Sequence, residues 1–171
     1  VFRELLARAI EIAAQGTHLL TFGISPTRPE TGYGYIHAPK AWGGAAEVPK
    51  VSRFTEKPDS ETAERFMQEG AYYWNSGMFV WKVGTILEEI RQFLPELYGA
   101  LEELRSHIGT ASFQEKLEAI YADLAKVSID HGVMEKSTKA LLIPAGNIDW
   151  SDIGGWKVLR ELLARKDKHW G

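Results

Sequence analysis

The sequence predicts an α/β domain. Two observations carry that prediction. Segments with apolar residues at helical spacing alternate along the chain with short runs rich in apolar, β-branched and aromatic residues. Polar groups then interrupt the chain near the ends of the strand-like runs, at residues 31–34, 56–58, 75–77 and 152–154. Open α/β sheets bind ligands beyond the carboxyl ends of their strands.

Each element follows from local chemistry. Residues 2–14, FRELLARAIEIAA, place apolar side chains at helical spacing, and Gly16 stops the helix. HLLTFGI, residues 18–24, is a short apolar strand. SPTRPETGYG, residues 25–34, holds two prolines and two glycines and forms a loop. YGYIHA is a strand and AWGGAAEVPK a surface turn. KVSRFTEKP, residues 50–58, alternates imperfectly: Val51, Arg53 and Thr55 share one face, Ser52, Phe54 and Glu56 the other. Its β-branched and aromatic residues still favour a strand ending at Pro58. DSETAERFMQEG is a helix capped by Asp59 or Ser60 and stopped by Gly70. YYWNSGMFVW, residues 72–81, reads as a buried strand. VGTILEEIRQFLPELYGALEEL is helical with a break near Pro95, and SFQEKLEAIYADLAKV is an amphipathic helix capped by Ser112. SIDHGVMEK is a short helical segment, KALLIPA a strand, and WSDIGGW a loop leading into the helix KVLRELLARK.

Composition bounds the function. The 171 residues suffice for one domain with a real core. A net charge of -3, with no basic stripe interleaved with aromatics, argues against nucleic acid as a partner. No apolar run approaches the roughly 20 residues that span a bilayer. The absence of cysteine excludes disulfides, thiolate metal sites and thiol catalysis. The chain opens at Val1, already inside a helical pattern, and ends just after a helix at KDKHWG. It is expected to be a piece of a longer protein.

Four stretches can carry chemistry. FTEKPD sets a carboxylate, Glu56, beside an ammonium, Lys57, at a strand end; taken alone it is better explained as a solvated charged turn. ETGYGYI exposes the backbone of Gly32, Tyr33 and Gly34 to close approach, though taken alone a tight turn explains it better. WSDIGGW sets Asp152 before two glycines; it could be a ligand for a hard cation such as Mg²⁺, though taken alone a helix cap explains it better. Asn75-Ser76-Gly77 is poor material for the middle of a core strand. The five histidines show no zinc spacing, and neither a nucleophile elbow nor a phosphate-binding Gly-Lys-Ser/Thr loop is present. The acidic positions Glu88, Glu89, Glu102 and Glu103 read as solvated helix surface.

In combination these stretches are far more specific. TFGISPTRPETGYGYI, FTEKPD, YYWNSGMFVW, SIDHGVMEK and WSDIGGW, in this order, resemble the mannose-1-phosphate guanylyltransferase family of sugar-phosphate nucleotidyltransferases. The resemblance runs from about Thr21 to Trp156. It implies a GT-A-like, Rossmann-like fold: a mixed, mainly parallel sheet flanked by helices, here with its N-terminal part missing. Residues 1–171 would be the C-terminal, sugar-phosphate-binding part of the domain. The family's Gly-rich nucleotide loop and first metal-binding Asp would lie upstream of Val1. Two departures stand out: His131 where Tyr is usual, and Gly155 where Ser is usual.

The resemblance also implies an activity and its residues. GTP and mannose 1-phosphate would give GDP-mannose and pyrophosphate in the full-length protein, with Mg²⁺ as cofactor. Lys57 and Asp152 would be the catalytic residues, Lys57 holding the sugar phosphate and Asp152 the metal. Glu56 and Asn75 would bind sugar hydroxyls, the Gly32–Tyr33–Gly34 backbone would line the pocket, and Arg28 would contact phosphate. The location is expected to be cytoplasmic, with a homodimer admissible and neither nucleic acid nor membrane as a partner. Two alternatives stand beside this reading. One is a relative that joins glucose 1-phosphate to UTP or dTTP. The other is a non-catalytic sugar-phosphate-binding relative. The isolated fragment is expected to be inactive.

Overall fold

The computed structural model describes residues 1–38, 48–146, 148–153, 156, 160 and 163. In chain order the elements are α1 (Phe2–Gln15), β1 (Leu19–Ile24), β2 (Tyr35–His37), β3 (Arg53–Thr55), α2 (Ser60–Glu69), β4 (Tyr72–Val80), α3 (Val83–Phe93), α4 (Pro95–Arg105), α5 (Phe113–Asp123), a π-helical turn (Asp130–Met134) and β5 (Ala140–Gly146). The strands form one sheet in the order β3-β2-β4-β1-β5.

Around α2 and α4 the punctuation read from the sequence acts as expected. Asp59 caps α2 by accepting from Thr62 N–H at 2.8 Å, and Gly70 closes it in the left-handed conformation at φ 62°. Pro95 opens α4 one residue after α3 breaks off, where its missing N–H costs nothing. Ser112 precedes α5 but makes no side-chain capping bond, and α5 stops at Asp123, short of the expected end. The turn expected at AWGGAAEVPK falls largely outside the described residues, as do Gly154 and Gly155 of WSDIGGW.

Both faces of the sheet are covered. On one, Ala9 and Ala13 of α1 and Ala63 and Phe66 of α2 pack on Leu20, Phe22, Tyr72, Trp74 and Ile143. On the other, Ile86 of α3 and Val133 and Met134 of the π-helical turn pack on Leu19, Ile36, Phe54 and Leu142. Strands buried on both faces read as near-continuous apolar runs, which is what HLLTFGI and KALLIPA show.

The sheet is mixed and flanked by helices, as the sequence implies, but among the described strands it is not mainly parallel. Only β1 and β5 run parallel, whereas β1–β4, β2–β4 and β2–β3 are antiparallel. Parallel neighbours need a long crossover, and here the chain between β1 and β5 supplies it; the strands between them return against their neighbours. The strand expected at residues 50–58 is shortened to Arg53–Thr55. Its first residues turn instead to the opposite edge, where Val51 N–H donates to Ala140 O and Leu142 N–H to Pro49 O, each at 2.9 Å. The one segment therefore touches both outer strands and covers the β5 edge.

Strand register then decides which residues meet. Thr55 pairs with Tyr35, Tyr35 with Trp74, and Trp74 with Ile24. One step along lies the row Glu56, Gly34, Asn75 and Gly23: Asn75 pairs with Gly23 and donates its N–H to Gly34 O at 2.7 Å. Successive rows face opposite sides of a sheet. Gly23 occupies this row because a Cβ there would lie 2.6 Å from Leu142 Cδ1 and 2.8 Å from Tyr73 Cβ. Gly23→Ala is therefore expected to lower stability by about 1–3 kcal/mol through overpacking. Denaturant unfolding of the chain measures this, and an unchanged midpoint would mean that Leu142 and Tyr73 yield without strain.

Candidate active site

The row Glu56–Gly34–Asn75 forms the floor of the candidate site. Gly34 is buried, and a Cβ on it would collide with Glu56 Oε2 and touch Asn75 Cβ at 3.4 Å. A side chain is excluded here so that the Glu56 carboxylate can lie across the backbone toward Asn75. At this row the β2–β4 ladder ends, so beyond it the β4 edge is no longer covered by β2.

Lys57 follows in an unusual conformation. Its φ is 44°, in the left-handed region, and Pro58 comes next. Such a backbone is strained for a residue with a side chain. It places the Lys57 ammonium 2.9 Å from Glu56 Oε1, on the same side as its neighbour; in a regular strand the two would diverge. The Glu56 hydrogen bond and charge raise the Lys57 pKa, and the Asp130 and Asp152 carboxylates push in the same direction. Among the described residues three carboxylates thus act on this ammonium, of which Glu56 is in direct contact. Lys57 is largely exposed, at 64%, whereas Glu56 is 21% exposed, so the cation can swing to a ligand while its partner stays.

Asn75 is the polar centre of β4. Its Oδ1 accepts from Gly77 N–H at 3.2 Å and lies 3.4 Å from the buried Thr21 hydroxyl, which has Met78 O as an equidistant acceptor. Its Nδ2 donates to Asp130 Oδ1 at 3.0 Å. Gly77 reaches this geometry at φ 69°, a conformation that favours a residue without a side chain. Asp130 is the site residue that the sequence reading missed, although it lies inside the quoted motif SIDHGVMEK. A carboxylate two residues before the buried run Gly132–Met134 was the available signal. Thr21, the lone hydroxyl in the β1 strand, was a second. Burial pushes the Asp130 pKa up and the Glu56 charge adds to this, while the Asn75 hydrogen bond opposes it.

The loop before β2 splits the remaining residues. Tyr33 packs edge-on against Trp74 at 5.2 Å and Trp150 at 5.4 Å, with the sheet face that α1 and α2 cover. Arg28 is bound to Glu30 Oε2 through Nε at 3.0 Å and a terminal nitrogen at 2.9 Å, and stacks over Trp74 at 5.4 Å. Gly32 N–H donates to Glu30 Oε1 at 3.1 Å. That bond, with the Arg28 guanidinium beside it, holds the Glu30 carboxyl below its ordinary value. Of the three loop residues expected to line the pocket, Gly34 meets Glu56 and Asn75, whereas Tyr33 packs on the opposite face and Gly32 is engaged within the loop, as is Arg28.

Asp152 is exposed and lies within electrostatic reach of Lys57. Among the described residues no three acidic or histidine side chains gather closely enough to hold a metal ion. Mg²⁺ asks for less, since it keeps waters and takes phosphate oxygens beside one or two carboxylates. An exposed Asp152 carboxylate fits that limited role.

The raised Asp130 pKa makes a sign-specific prediction. The folded chain holds this proton more tightly than the unfolded chain does. The stability from protonation is complete below the ordinary value of 3.8 and is lost as the pH rises through the higher folded-state value. Asp130→Asn is neutral throughout, so it should melt above the parent chain near neutral pH, with the gap closing in acid. Thermal melts across that range check this, and a gap independent of pH would assign the effect to something other than ionisation.

The family model for nucleotidyl transferases matches residues 1–168. Mannose-1-phosphate guanylyltransferase of Klebsiella pneumoniae is 38% identical over 170 residues, covering 98% of this chain and 36% of the relative. Mannose-1-phosphate guanylyltransferase RfbM of Salmonella typhimurium is 40% identical over 167 residues, covering 97% and 34%. The chain thus spans about a third of the length of the curated relatives it matches. A crystal structure described as mannose-1-phosphate geranyltransferase from Thermus thermophilus superposes with a TM-score of 0.78 at 36% identity, over 95% of this chain and 44% of that one. With a family match along nearly its whole length and the same fold in a relative of this identity, the chain belongs to the nucleotidyl transferase family.

Proposed function

We propose that residues 1–171 are the C-terminal, sugar-phosphate-binding part of a nucleotidyltransferase domain. The full-length protein would transfer GMP from GTP to mannose 1-phosphate, giving GDP-mannose and pyrophosphate. One observation carries the reading: Gly34, Glu56 and Asn75, distant in sequence, share one row across the sheet, with Lys57 turned onto it. Relatives named for this reaction at 38% and 40% identity support the choice of substrates.

Each group has a task that suits its chemistry. Glu56 accepts hydrogen bonds from sugar hydroxyls, Asn75 hydrogen-bonds a further hydroxyl, and the Gly34 backbone lets the sugar approach closely. The Gly32 and Tyr33 backbone continues that lining, and Arg28 contacts phosphate once it leaves Glu30. Lys57 pairs with the sugar phosphate. The nucleophile is a phosphate oxygen, already anionic near neutral pH, so the chain needs no general base. That oxygen forms a bond to the α-phosphorus of GTP as the bond to pyrophosphate breaks. The obstacle is repulsion between two anions, which the Lys57 ammonium opposes. The Glu56–Lys57 pair is exposed and therefore weak, so it can open for the phosphate. Mg²⁺, held through Asp152, would supply further neutralisation of phosphate charge. Among the described residues no helix is long and apolar enough to cross a membrane. A cytoplasmic setting and a homodimer complete the proposal.

In the full-length protein, Lys57→Ala should lower kcat/KM by on the order of a hundredfold, largely through kcat, since the charge matters most in the transition state. Pyrophosphate release from GTP and mannose 1-phosphate measures it. Near-parental activity would make Lys57 a surface charge. Lys57→Gly should lose as much activity yet melt roughly 2–4 °C above Lys57→Ala, because glycine relieves the left-handed backbone. Asn75→Ala should act mainly on KM for mannose 1-phosphate, raising it about tenfold. An equal rise in KM for GTP would place Asn75 outside the sugar subsite.

A further inference from the structure

The amide of Asn75 has two ends with opposite hydrogen-bonding roles, so its orientation determines what it can offer a ligand. Its carbonyl end is occupied. Gly77 N–H donates to Oδ1 at 3.2 Å, and the Thr21 hydroxyl lies 3.4 Å from both Oδ1 and Met78 O, between which its one proton is shared. Its amino end has one fixed partner, the Asp130 carboxylate at 3.0 Å. A carboxylate can only accept, and a backbone N–H can only donate. A flipped amide would set oxygen against oxygen at Asp130 and hydrogen against hydrogen at Gly77. The backbone N–H of Gly77 is local, two residues away on the same strand. Asp130 is 55 residues away and is delivered by the π-helical turn.

That delivery is built into the packing. Gly132, Val133 and Met134 are buried against the sheet. A Cβ on Gly132 would lie 2.9 Å from Leu94 Cδ1, so the turn sits tightly under the junction of α3 and α4. Asp130 is the residue of this turn that reaches the polar row, and its carboxylate is close enough to influence Lys57 electrostatically.

We propose that Asp130 is a positioning residue for sugar recognition: by accepting from Nδ2 it turns the Asn75 amide so that a single N–H, and not the carbonyl, faces the sugar. The inference rests on the sugar-phosphate reading of the site and deepens it. The hydroxyl at this subsite must then act as acceptor toward Asn75, which leaves its own proton to be donated to a carboxylate such as Glu56. The row thus sets a donor and an acceptor side by side, a match for a hydroxyl that uses both its roles at once.

The test is steady-state kinetics of pyrophosphate release by the full-length protein, with GTP and mannose 1-phosphate varied in turn. Asp130→Ala should raise KM for mannose 1-phosphate about tenfold, with KM for GTP changed less than about twofold. Combined with Asn75→Ala it should add less than about twofold to the single Asn75 variant, because both remove the same oriented N–H. Asp130→Asn keeps an acceptor oxygen and should return KM to within about threefold of the parent. Additive losses in the double variant, or an Asp130→Asn variant as impaired as Asp130→Ala, would overturn the positioning role and assign Asp130 a direct part through its charge. If Asp130→Ala does not fold, the Asp130→Asn comparison decides alone. A merely structural role would lower melting temperature without singling out the sugar-phosphate KM. A parent protein with no turnover dependent on mannose 1-phosphate would instead remove the functional reading, and this inference with it.

Discussion

The site depends on where strand β4 loses one of its neighbours. From Tyr72 to Trp74 the strand is paired on one side with β2, and from Trp74 onward it runs beside β1. The last tie to the β2 chain is the bond from Asn75 N–H to Gly34 O. Beyond it the β4 backbone has one covered edge and one that β2 no longer covers. An edge of this kind beside a fixed floor is a natural place for a ligand, and it costs the fold little because the ladder has already ended. Asn75 stands at that boundary, which is why an amide is tolerated in a strand that otherwise reads as core.

Glycine makes the boundary usable. Gly34 leaves room for Glu56, Gly23 leaves room for Tyr73 and Leu142, and Gly77 takes a left-handed conformation that lets its N–H return to Asn75. Removing side chains at three points concentrates the remaining ones, Glu56 and Asn75, on a single patch. The scaffold beneath is largely apolar on both faces, although Glu89, expected on solvated helix surface, is buried and paired with Lys139 Nζ at 2.8 Å; its close packing leaves the patch little freedom to shift. The strain at Lys57 belongs to the same design. A regular strand would send Glu56 and Lys57 to opposite sides, and the left-handed turn brings them together.

Electrostatically the patch is unbalanced by itself. Lys57 feels Glu56, Asp130 and Asp152, three acceptors for one cation. Acceptors suit hydroxyl groups, whereas a phosphate needs positive charge. On the proposed reading, carboxylates that face sugar hydroxyls would have to stand apart from the phosphate or be compensated there by a cation. In the structure Asp130 is turned inward to Asn75, Glu56 lies over Gly34, and Asp152 is exposed.

By itself the sequence determined the α/β class, the helices with their Asp59 cap and Gly70 stop, and the central strand. These are local properties, set by spacing of apolar groups and by the chemistry of single residues. Glu56, Lys57 and Asn75 were legible only through the order of whole motifs that carries the family resemblance, since each stretch alone reads as an ordinary turn or strand. Tertiary structure decided the rest. The strand directions were not legible, because short apolar runs look the same whichever way their neighbours point, and the sheet is less parallel than the resemblance implied. The shortening of β3 was equally hidden, since the bonds that take Pro49 and Val51 to β5 join residues about 90 apart. Asp130 went unassigned for the same reason. Nothing in SIDHGVMEK says which strand it will face, and only packing of the π-helical turn brings its carboxylate to Asn75. The resemblance implies that the backbone of Gly32, Tyr33 and Gly34 lines one pocket, and says nothing of where the Tyr33 ring goes. Contacts with Trp74 and Trp150 decide that, on the face that α1 and α2 cover, because they join residues far apart in sequence.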